Sequence, residues 1–379
     1  MSTILPGSTI GFLGGGQLAR MSALAARSMG YDVHVLDPDP ECPAAAVATH
    51  VVTARYDDTD AATAFARTCD VITLDIEQVA TTSIAAASLH APVHPGAAPV
   101  HIIQDRGRQK EWLREHGFPV APFRIARTPT EVAEAYDTLG RSIAKTTSGG
   151  YDGRGQARIR SANDLDAAGA LTSHSTVVVE QWIELAGELS VMVARSSTGE
   201  VKTFPVSWNH HDNGVLTWAM TPAPVSDDTS AAAVAVATSI AEALNIVGLL
   251  AVELFITSDD TLMVNELAPR PHNTFHATER ACLTSQFEQQ VRAVCGLPLG
   301  STALLSAGAI INLLGDLWRS DTEPPDWERA LQVHGVRLHL YGKKLAKPGR
   351  KMGHLSAVGT TPEAARDTVL DAYARLLPR

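Results

Sequence analysis

The amino-acid sequence predicts an α/β and α+β protein, in which a parallel sheet near the amino terminus precedes antiparallel strands and helices. Two observations lead to this prediction. Strand-like and helix-like segments alternate over the first hundred residues, which is typical of a βαβ series. Beyond residue 104, apolar strand-like segments occur in pairs around short turns, which indicates antiparallel hairpins.

The amino-terminal sheet is predicted to begin with an apolar strand at residues 10–13. A helix follows, with Leu18, Met21 and Ala25 on one face and Gly30 at its end. Because such strands are joined through helices, we expect them to run parallel. Further strands are predicted at YDVHVLD (31–37), CDVITLDIE (69–77) and APVHPG (91–96).

The next part begins with a basic amphipathic helix at QDRGRQKEWLREHG (104–117). A second helix follows, in which Thr128 as N-cap, Pro129 at the first position and Glu131 form a capping box. The remaining segments of this part are predicted as strand 141–147, a glycine-rich loop, strand 157–160, helix 161–171 and strand 176–185.

The rest of the chain is predicted to contain longer antiparallel strands. Strands 187–195 and 201–208 flank a Ser-Thr-Gly turn, and an alanine-rich helix at about 228–245 leads to a hairpin at 249–270. A strand at 306–315, a proline-rich loop, a basic segment and a closing helix end the sequence. We expect four units with the boundaries 1–104, 105–187, 188–298 and 299–379, the last packed on the third.

Composition and charge exclude several classes of protein. At 379 residues the chain is long enough for two or three domains. Its formal net charge of −10 argues against a nucleic-acid or anionic membrane partner, and no apolar run approaches the ~20 residues of a membrane span. The first residues lack the basic segment of a signal peptide, and the four cysteines show no metal-binding spacing. We therefore expect a cytoplasmic protein in a reducing compartment.

The segment GFLGGGQLAR (11–20) resembles a dinucleotide-binding turn. Gly14, Gly16 and Ala19 fit the pattern G-x-G-x-x-G/A after an apolar strand. Asp37 ends the second strand about twenty residues later, where an NAD enzyme places its ribose-binding acid. Taken alone, this segment favours a nicotinamide oxidoreductase.

Two glutamates are predicted to face each other in the hairpin at 249–270. A symmetric hairpin centred between Asp259 and Asp260 places Glu253 directly opposite Glu266, with Cβ atoms about 5 Å apart. Opposed carboxylates repel each other unless a cation neutralises them, and Mg²⁺ typically binds one or two carboxylates together with phosphates. The alternative is a solvated sheet face with two unrelated acids, because a one-residue bulge would break this register.

A lysine and a glycine-rich loop point to phosphate binding. In KTTSGGYDGRGQ, Lys145 ends a strand and four glycines follow within ten residues. Glycines let backbone N–H groups turn toward a phosphate, and lysine supplies a point charge. The segment is not a Walker motif, because no G-K-[ST] leads into a helix. It lies between two strands, where it would form either a flap over a ligand or a flexible hairpin loop.

These features together resemble an ATP-grasp enzyme: Lys145, the loop GYDGRGQ (150–156), the tetrad EQWI (180–183), Glu188 and the opposed glutamates. Five longer segments are similar to the N5-carboxyaminoimidazole ribonucleotide synthetase family, the ATP-dependent carboxylases of purine biosynthesis. The resemblance implies an ATP-grasp fold preceded by a Rossmann-like domain, with the small lid subdomain at 105–187 and the large subdomain at 188–298. The five segments are GGGQLARM (14–21), LDPDPECPAAAVA (36–48), HPG (94–96), NELAPRPHN (265–273) and YGKKLAKPGRKMGH (341–354).

The resemblance implies an ATP site with one or two magnesium ions. Glu253 and Glu266 match the magnesium ligands of the family, and the loop 150–156 matches its lid. His211 matches a nucleotide contact, with His210 as the alternative because the two histidines are adjacent. The implied ATP contacts are Arg106, Lys145, Gly150, Tyr151, Asp152, Gly153, Arg154, Gly155, Gln156, Glu180, Gln181, Trp182, Ile183, Glu188, His211, Asn265 and Glu266.

The resemblance also implies a ribonucleotide site. The amides of the first glycine-rich turn would bind the substrate's phosphate, and Asp37 would be structural. Asp75 stands where the family has glutamate. The basic segment at 343–351 would capture the 5′-phosphate, or would alternatively be a solvated loop. The implied substrate contacts are Gln17, Leu18, Asp75, Glu77, Tyr151, Arg154, His272, Asn273, Lys343, Arg350 and Lys351.

The implied reaction converts ATP, bicarbonate and 5-aminoimidazole ribonucleotide to ADP, phosphate and the N5-carboxylated product through carboxyphosphate. Lys145 and Arg270 are the implied catalytic residues. Lys145 would offset phosphate charge, and Arg270 would hold bicarbonate because guanidinium binds oxyanions bidentately. The alternative for Arg270 is a salt bridge to a nearby acid. No NAD and no biotin are expected, and the family resemblance implies a homodimer.

Three other functions remain open at this point. A formate-using ribonucleotide transformylase or another ATP-grasp ligase would share the ATP half but differ in segments 14–21, 265–273 and 343–354. A nicotinamide oxidoreductase would leave Lys145, the lid and the paired glutamates unexplained. A non-catalytic nucleotide-binding regulatory protein would have no need for Lys145, Arg270 and both glutamates.

Overall fold

The computed structural model describes residues 3–149, 155–212 and 214–377. Its helices are α1 (Gln17–Ser28), α2 (Thr59–Ala66), α3 (Thr81–Ser88), α4 (Ala97–Ile103), α5 (Arg106–Glu115), α6 (Pro129–Leu139), α7 (Leu165–Ala170), α8 (Asp227–Ala243), α9 (Thr278–Ala281), α10 (Gln286–Val294), α11 (Trp327–Leu331) and α12 (Pro362–Ala374). In the described part of the chain, none of these helices is both long and apolar enough to span a membrane.

The strands form three sheets. They are β1 (Thr9–Leu13), β2 (Asp32–Asp37), β3 (His50–Thr53), β4 (Val71–Leu74), β5 (Val93–His94), β6 (Phe123–Ala126), β7 (Ser142–Thr146), β8 (Gln156–Ile159), β9 (Val177–Gln181), β10 (Gly187–Arg195), β11 (Val201–Thr203), β12 (Ser207–Asp212), β13 (Val215–Thr221), β14 (Gly248–Ile256), β15 (Leu262–Ala268), β16 (Ala307–Leu314), β17 (Arg337–Leu340) and β18 (Lys351–Gly359).

The amino-terminal sheet is parallel, as predicted, with strand order β3-β2-β1-β4-β5. Its central strands are apolar on both faces because helices cover both, as the buried Ile10 and Phe12 of β1 illustrate. Strand β3 was not predicted from the sequence, because it is a four-residue edge strand whose two valines are flanked by His50 and Thr53.

The second sheet is antiparallel and has the order β6-β9-β7-β8. Helices α6 and α7 pack on it through a small apolar cluster that includes Val132, Ala144 and Val179. The predicted capping box begins α6: the backbone N–H of Glu131 donates to the side chain of Thr128, and the Glu131 carboxylate accepts in return. This sheet carries Lys145 at the end of β7, beside the glycine-rich loop.

The third sheet has nine strands in the order β15-β14-β10-β12-β13-β16-β18-β17, with β11 paired to β10. Helix α8 covers β10 and β14 through Ala237 and Ile240, and α12 covers β16 and β18. The carboxy-terminal strands thus continue the same sheet as the predicted hairpin. The predicted strand 201–208 is divided into β11 and the first residues of β12. The rest of β12, together with β13, β17 and β18, was not predicted from the sequence.

The amino-terminal and large sheets share a core through α10. Val291 and Val294 of α10 pack in the same apolar cluster as Ile10 and Phe12 of β1. Gln290 links the two sheets, because its Nε2 donates to Thr73 Oγ1 at 2.7 Å while its Oε1 accepts from the Leu249 N–H. The ends of β1 and β4 are therefore held close to the hairpin of β14 and β15.

Candidate active site

Glu253 and Glu266 lie directly opposite each other on β14 and β15, as the sequence predicts. The hairpin that pairs them is not symmetric, however. The Thr257 N–H donates to the Thr261 carbonyl, so the loop has three residues and Asp260 adopts a left-handed φ of 61°. A bulge at Asn265, opposite the step from Glu253 to Leu254, then restores the predicted register.

The two carboxylates form a concentrated negative charge. Glu253 is largely buried, and burial together with the nearby Glu266 raises its pKa well above the usual range. Glu266 is half-exposed, and its Oε2 lies 3.4 Å from Arg106 Nη2. Hard oxygen donors with unbalanced negative charge fit a divalent cation such as Mg²⁺. The predicted metal ligands are therefore brought together in a chemically suitable form.

Glu188 and His211 extend this acidic group on β10 and β12. His211 Nδ1 lies 3.0 Å from Glu188 Oε2, and the ligand atoms of Glu188, His211 and Glu253 lie within 4.8 Å of one another. Burial alone would lower the pKa of His211, but the carboxylates outweigh it and raise it. His210 instead stacks on Trp218, at 4.9 Å between ring centroids, so the geometry favours His211 over its neighbour.

Lys145 pairs with a buried glutamate rather than standing alone. Its Nζ lies 3.1 Å from Glu180 Oε1, while Lys110 Nζ lies 3.1 Å from the other oxygen, Oε2. Burial would raise the pKa of Glu180, but the surrounding cations lower it to about 2. The Glu180 side chain thus orders Lys145, a role that the family resemblance did not imply.

Lys110 is a site residue that the sequence analysis missed. Its side chain is fully buried, and its Nζ also donates to the Val264 carbonyl at 3.2 Å. A signal was available, because Lys110 lies three residues from both Gly107 and Leu113 and thus on the buried face of α5. A lysine on such a face needs an acidic partner.

Two backbone N–H groups of the segment 180–183 are already hydrogen-bonded within the protein. The N–H groups of Gln181 and Trp182 donate to the carbonyls of Pro122 and Arg141, both at 2.8 Å. A ligand bound by this segment must therefore contact its other backbone groups. Arg106 begins α5 nearby, and its Nε is buried without a hydrogen-bond partner within the described residues.

Arg270 forms the alternative contact considered above, an ion pair with an acid. Its Nε lies 2.8 Å from Glu77 Oε1, and its Nη1 donates to the Pro271 carbonyl. Because Glu77 is itself an implied substrate contact, this pair places both residues at one point of the site. A guanidinium has five N–H donors, so further donors remain for an oxyanion.

The hydrogen bonds of the glycine-rich turn bear on one expectation. Its amides were expected to bind a phosphate, but Asp75 accepts from the N–H groups of Gly16 at 2.9 Å and Ala19 at 2.6 Å. Asp37 accepts from Gly15 at 2.7 Å and so has the expected structural role. These three N–H groups are therefore occupied within the protein. Asp75 is thus a helix cap, which argues against its direct contact with substrate.

The other implied substrate residues lie at the start of α1 and just after β15. Gln17 and Leu18 form the first turn of α1, with Leu18 buried. His272 Nε2 lies 3.2 Å from Glu253 Oε1, and burial, with Arg270 and Lys351 nearby, holds the pKa of His272 well below its usual range. Asn273 donates from Nδ2 to Asn312 at 2.9 Å.

One end of the basic segment, at Lys351, borders the site, whereas Lys344 and Lys347 are exposed. Lys343 Nζ donates to the Lys351 carbonyl at 2.7 Å, and Arg350 Nη1 donates to the Leu345 carbonyl at 2.8 Å. The charge of Lys351 acts on Glu253 and on His211. The loop is therefore positioned to bring cations to the same site as the glutamates.

The lid prediction lies partly outside the described residues. This concerns Gly150, Tyr151, Asp152, Gly153 and Arg154, all of them expected contacts. Gly155, with φ of 68°, and Gln156 at the start of β8 follow directly, and Gln156 pairs with Lys145. The described end of the predicted lid is thus paired with the strand that carries the lysine.

Comparison with known proteins agrees with this architecture. A family described as the ribonucleotide synthetase preATP-grasp domain matches residues 7–104. The ATP-grasp domain matches residues 111–287, and the phosphoribosylaminoimidazole carboxylase C-terminal domain matches residues 308–368.

Relatives and solved structures cover nearly the whole chain. N5-carboxyaminoimidazole ribonucleotide synthase of Bacillus subtilis is 42% identical over 93% of this chain and 92% of its own. The N5-carboxyaminoimidazole synthetase structure from Staphylococcus aureus, complexed with ADP, has a TM-score of 0.92 at 35% identity and covers 100% of this chain and 99% of its own.

A third protein was solved with both ADP and 5-aminoimidazole ribonucleotide, the N5-carboxyaminoimidazole synthase of Aspergillus clavatus. It has a TM-score of 0.89 at 31% identity and covers 97% of this chain and 98% of its own. With identities above 30% over most of both chains, this chain belongs to the N5-carboxyaminoimidazole ribonucleotide synthase family of ATP-grasp enzymes.

Proposed function

We propose that this protein is a carbon–nitrogen ligase that uses ATP to carboxylate 5-aminoimidazole ribonucleotide to its N5-carboxy product in purine biosynthesis. The single observation that carries the proposal is the direct opposition of Glu253 and Glu266 beside the buried Lys145–Glu180 pair. This arrangement, in a member of this family, suits the binding of a nucleoside triphosphate and the transfer of its phosphoryl group.

We propose that bicarbonate is the second substrate and is activated as carboxyphosphate. Mg²⁺ on Glu253 and Glu266, when bound, would neutralise phosphate oxygens. Lys145, ordered by Glu180, would place a further positive charge at the phosphates. Arg270 would hold bicarbonate with the N–H groups that Glu77 and Pro271 leave available. The aminoimidazole amine would then attack the carboxyl carbon, and closure of the lid would exclude water.

For the ribonucleotide phosphate, the contacts favour the basic segment over the glycine-rich turn. Asp75 and Asp37 occupy the turn's amides, whereas Lys343, Arg350 and Lys351 carry positive charge at the border of the site. We further propose the four units given above, with the first three named as preATP-grasp, lid and large ATP-grasp units. A cytoplasmic homodimer also remains part of this proposal, and light scattering tests the dimer.

The test is ADP release by the purified protein with ATP, Mg²⁺ and bicarbonate, with and without 5-aminoimidazole ribonucleotide. We expect turnover to require all components and to consume one ATP for each carboxylated product. Parallel reactions with formate and glycinamide ribonucleotide test the transformylase alternative. Turnover with formate in place of bicarbonate would overturn the proposal. ADP release that does not depend on 5-aminoimidazole ribonucleotide would overturn it as well.

A further inference from the structure

A second cluster of metal-ligating side chains lies where α9, β17 and β18 meet. His339 and His354 are directly opposite on the two strands, with nearly parallel rings whose centroids are 5.1 Å apart. Glu279 approaches from α9, with its Oε2 3.9 Å from His339 Nδ1. One ligand atom from each of the three residues lies within 4.8 Å of the others.

His354 has a nitrogen that needs a partner. The residue is fully buried, and its Nε2 has no hydrogen-bond partner among the described residues. Its Nδ1 lies 2.9 Å from the hydroxyl of the buried Tyr341. A histidine that donates Nδ1–H to such a hydroxyl keeps the lone pair of Nε2 available for a ligand, as metal-bound histidines commonly do. A buried polar atom without a partner calls for a ligand.

Burial is the main influence on the pKa of both imidazoles. Burial, with Arg20 and Arg337 nearby, lowers the pKa of His339 to about 4. Burial and the adjacent His276 hold the pKa of His354 well below its usual range. Metal ions bind the neutral form of imidazole, which is the form that burial favours.

We propose that Glu279, His339 and His354 form a binding site for a zinc ion, separate from the magnesium site at Glu253 and Glu266. Two imidazole nitrogens and one carboxylate oxygen suit zinc, and a water molecule would complete a tetrahedron. Ligands about 2.1 Å from zinc lie about 3.4 Å from one another, so the set must contract by roughly an ångström. Glu279 and His339 are partly exposed and can rotate, whereas Tyr341 fixes His354.

The proposed ion would stabilise the elements next to the implied ribonucleotide contacts. It would join α9 to the edge strand β17 and to β18. Asn273 precedes α9 by a few residues, Lys343 follows β17, and Lys351 begins β18. Arg20 and Arg337 lower the affinity for a cation, so the Glu279 carboxylate supplies the negative charge that two neutral imidazoles lack.

The test measures zinc binding to tag-free, chelator-treated full-length protein without Mg²⁺ or nucleotide, by competition with a chromophoric chelator. Glu279→Gln and His339→Gln remove ligands from the partly exposed side of the cluster, where folding is least at risk. Two variants serve as controls. Glu253→Gln alters the active-site group with Glu188 and His211, and His334→Gln removes an exposed histidine close in sequence.

We expect one tightly bound zinc ion in the wild type and in both controls, and binding at least about tenfold weaker in the two ligand variants. Zinc should also raise the melting temperature of the wild type but not that of His339→Gln. The proposal is overturned if the wild type binds no stoichiometric zinc, if His339→Gln binds it as tightly as the wild type, or if only Glu253→Gln loses it.

Discussion

Glu180 is held between two ammonium groups, and this arrangement explains why a lysine is tolerated in the interior of the protein. Lys110 is fully buried, yet both oxygens of Glu180 are engaged, one by Lys110 and one by Lys145. An ion pair of this kind is stable only while each charge has its partner. Lys110 therefore contributes to the site indirectly, by keeping Glu180 ionised beside Lys145.

Replacing Lys110 should destabilise the protein. Lys110→Met leaves Glu180 with one ion-pair partner, Lys145, and we expect a loss of about 3–5 kcal/mol in the free energy of unfolding, measured with urea. Lys202→Met, at an exposed lysine on β11, is the control and should change little. Equal stability of Lys110→Met and wild type would show that the buried pair has no such role.

The burial of a single residue, His94, predicts that the stability of the protein depends on pH. Burial lowers its pKa to about 4, whereas the unfolded chain has a value near 6.5. The unfolded state therefore takes up a proton first as the pH falls, and stability is lost between pH 6.5 and about 4. We expect this residue to contribute about 1.4 kcal/mol for each pH unit in that window.

The measurement compares melting temperatures of wild type and His94→Gln from pH 7 to pH 5. The wild type should lose more on acidification than the variant, and His174→Gln, at an exposed histidine, should behave like the wild type. Parallel curves for all three proteins would contradict the assignment.

Residue patterns predicted part of the site. Lys145 and the two glutamates were recognisable because strand ends and hairpin register are local. The capping of α1 by Asp75 was not predictable, because it joins residues that are distant in sequence and depends on how β4 ends beside β1. The pairing of Lys110 with Glu180 likewise requires knowledge of how α5 packs on β9.

At the scale of elements, the hairpin of β14 and β15 has the predicted register but not the predicted symmetric turn. A three-residue loop would shift the pairing by one residue, and the bulge at Asn265 compensates for it. Strands with a clear apolar pattern were predicted, whereas β12, with the sequence SWNHHD, was predicted only at Ser207 and Trp208. Its polar side chains serve the site rather than the core, so the usual alternation is lost.

The loop between β17 and β18 gives a prediction for one element. Gly315 donates its N–H to the Arg350 carbonyl, and a Cβ at Gly315 would lie 2.1 Å from the Lys347 carbonyl oxygen. Gly315→Ala should therefore displace the basic loop and raise the KM for the ribonucleotide several-fold, with little change in the KM for ATP.

The matched control is Gly96→Ala, where the added Cβ would meet no atom closer than 4.0 Å. Steady-state kinetics of both variants separate the two outcomes. A Gly315→Ala enzyme with an unchanged KM for the ribonucleotide would remove the basic loop from the substrate site.

At the scale of the whole molecule, the proposed units are not independent. The apolar cluster around β1 includes Val291 and Val294 of α10, and Gln290 bonds to both neighbouring sheets. Sequence predicted the two kinds of sheet but not this shared core, because α10 lies more than two hundred residues after the strands that it covers.

We expect the amino-terminal and large sheets to unfold together. Calorimetry of the full chain should show one transition for both, since separating them would expose the cluster around Val291. A separate, earlier transition assigned by hydrogen exchange to β1, β2 and β4 would contradict this expectation.

The most direct test of the account is a crystal structure with Mn²⁺ in place of Mg²⁺ and a non-hydrolysable ATP analogue, in which anomalous scattering locates the ion. The account predicts an ion bound by oxygens of both Glu253 and Glu266, at about 2.0–2.2 Å, and by the phosphates of the nucleotide. An ion held elsewhere, for instance by Glu188 and His211 without Glu266, would contradict it.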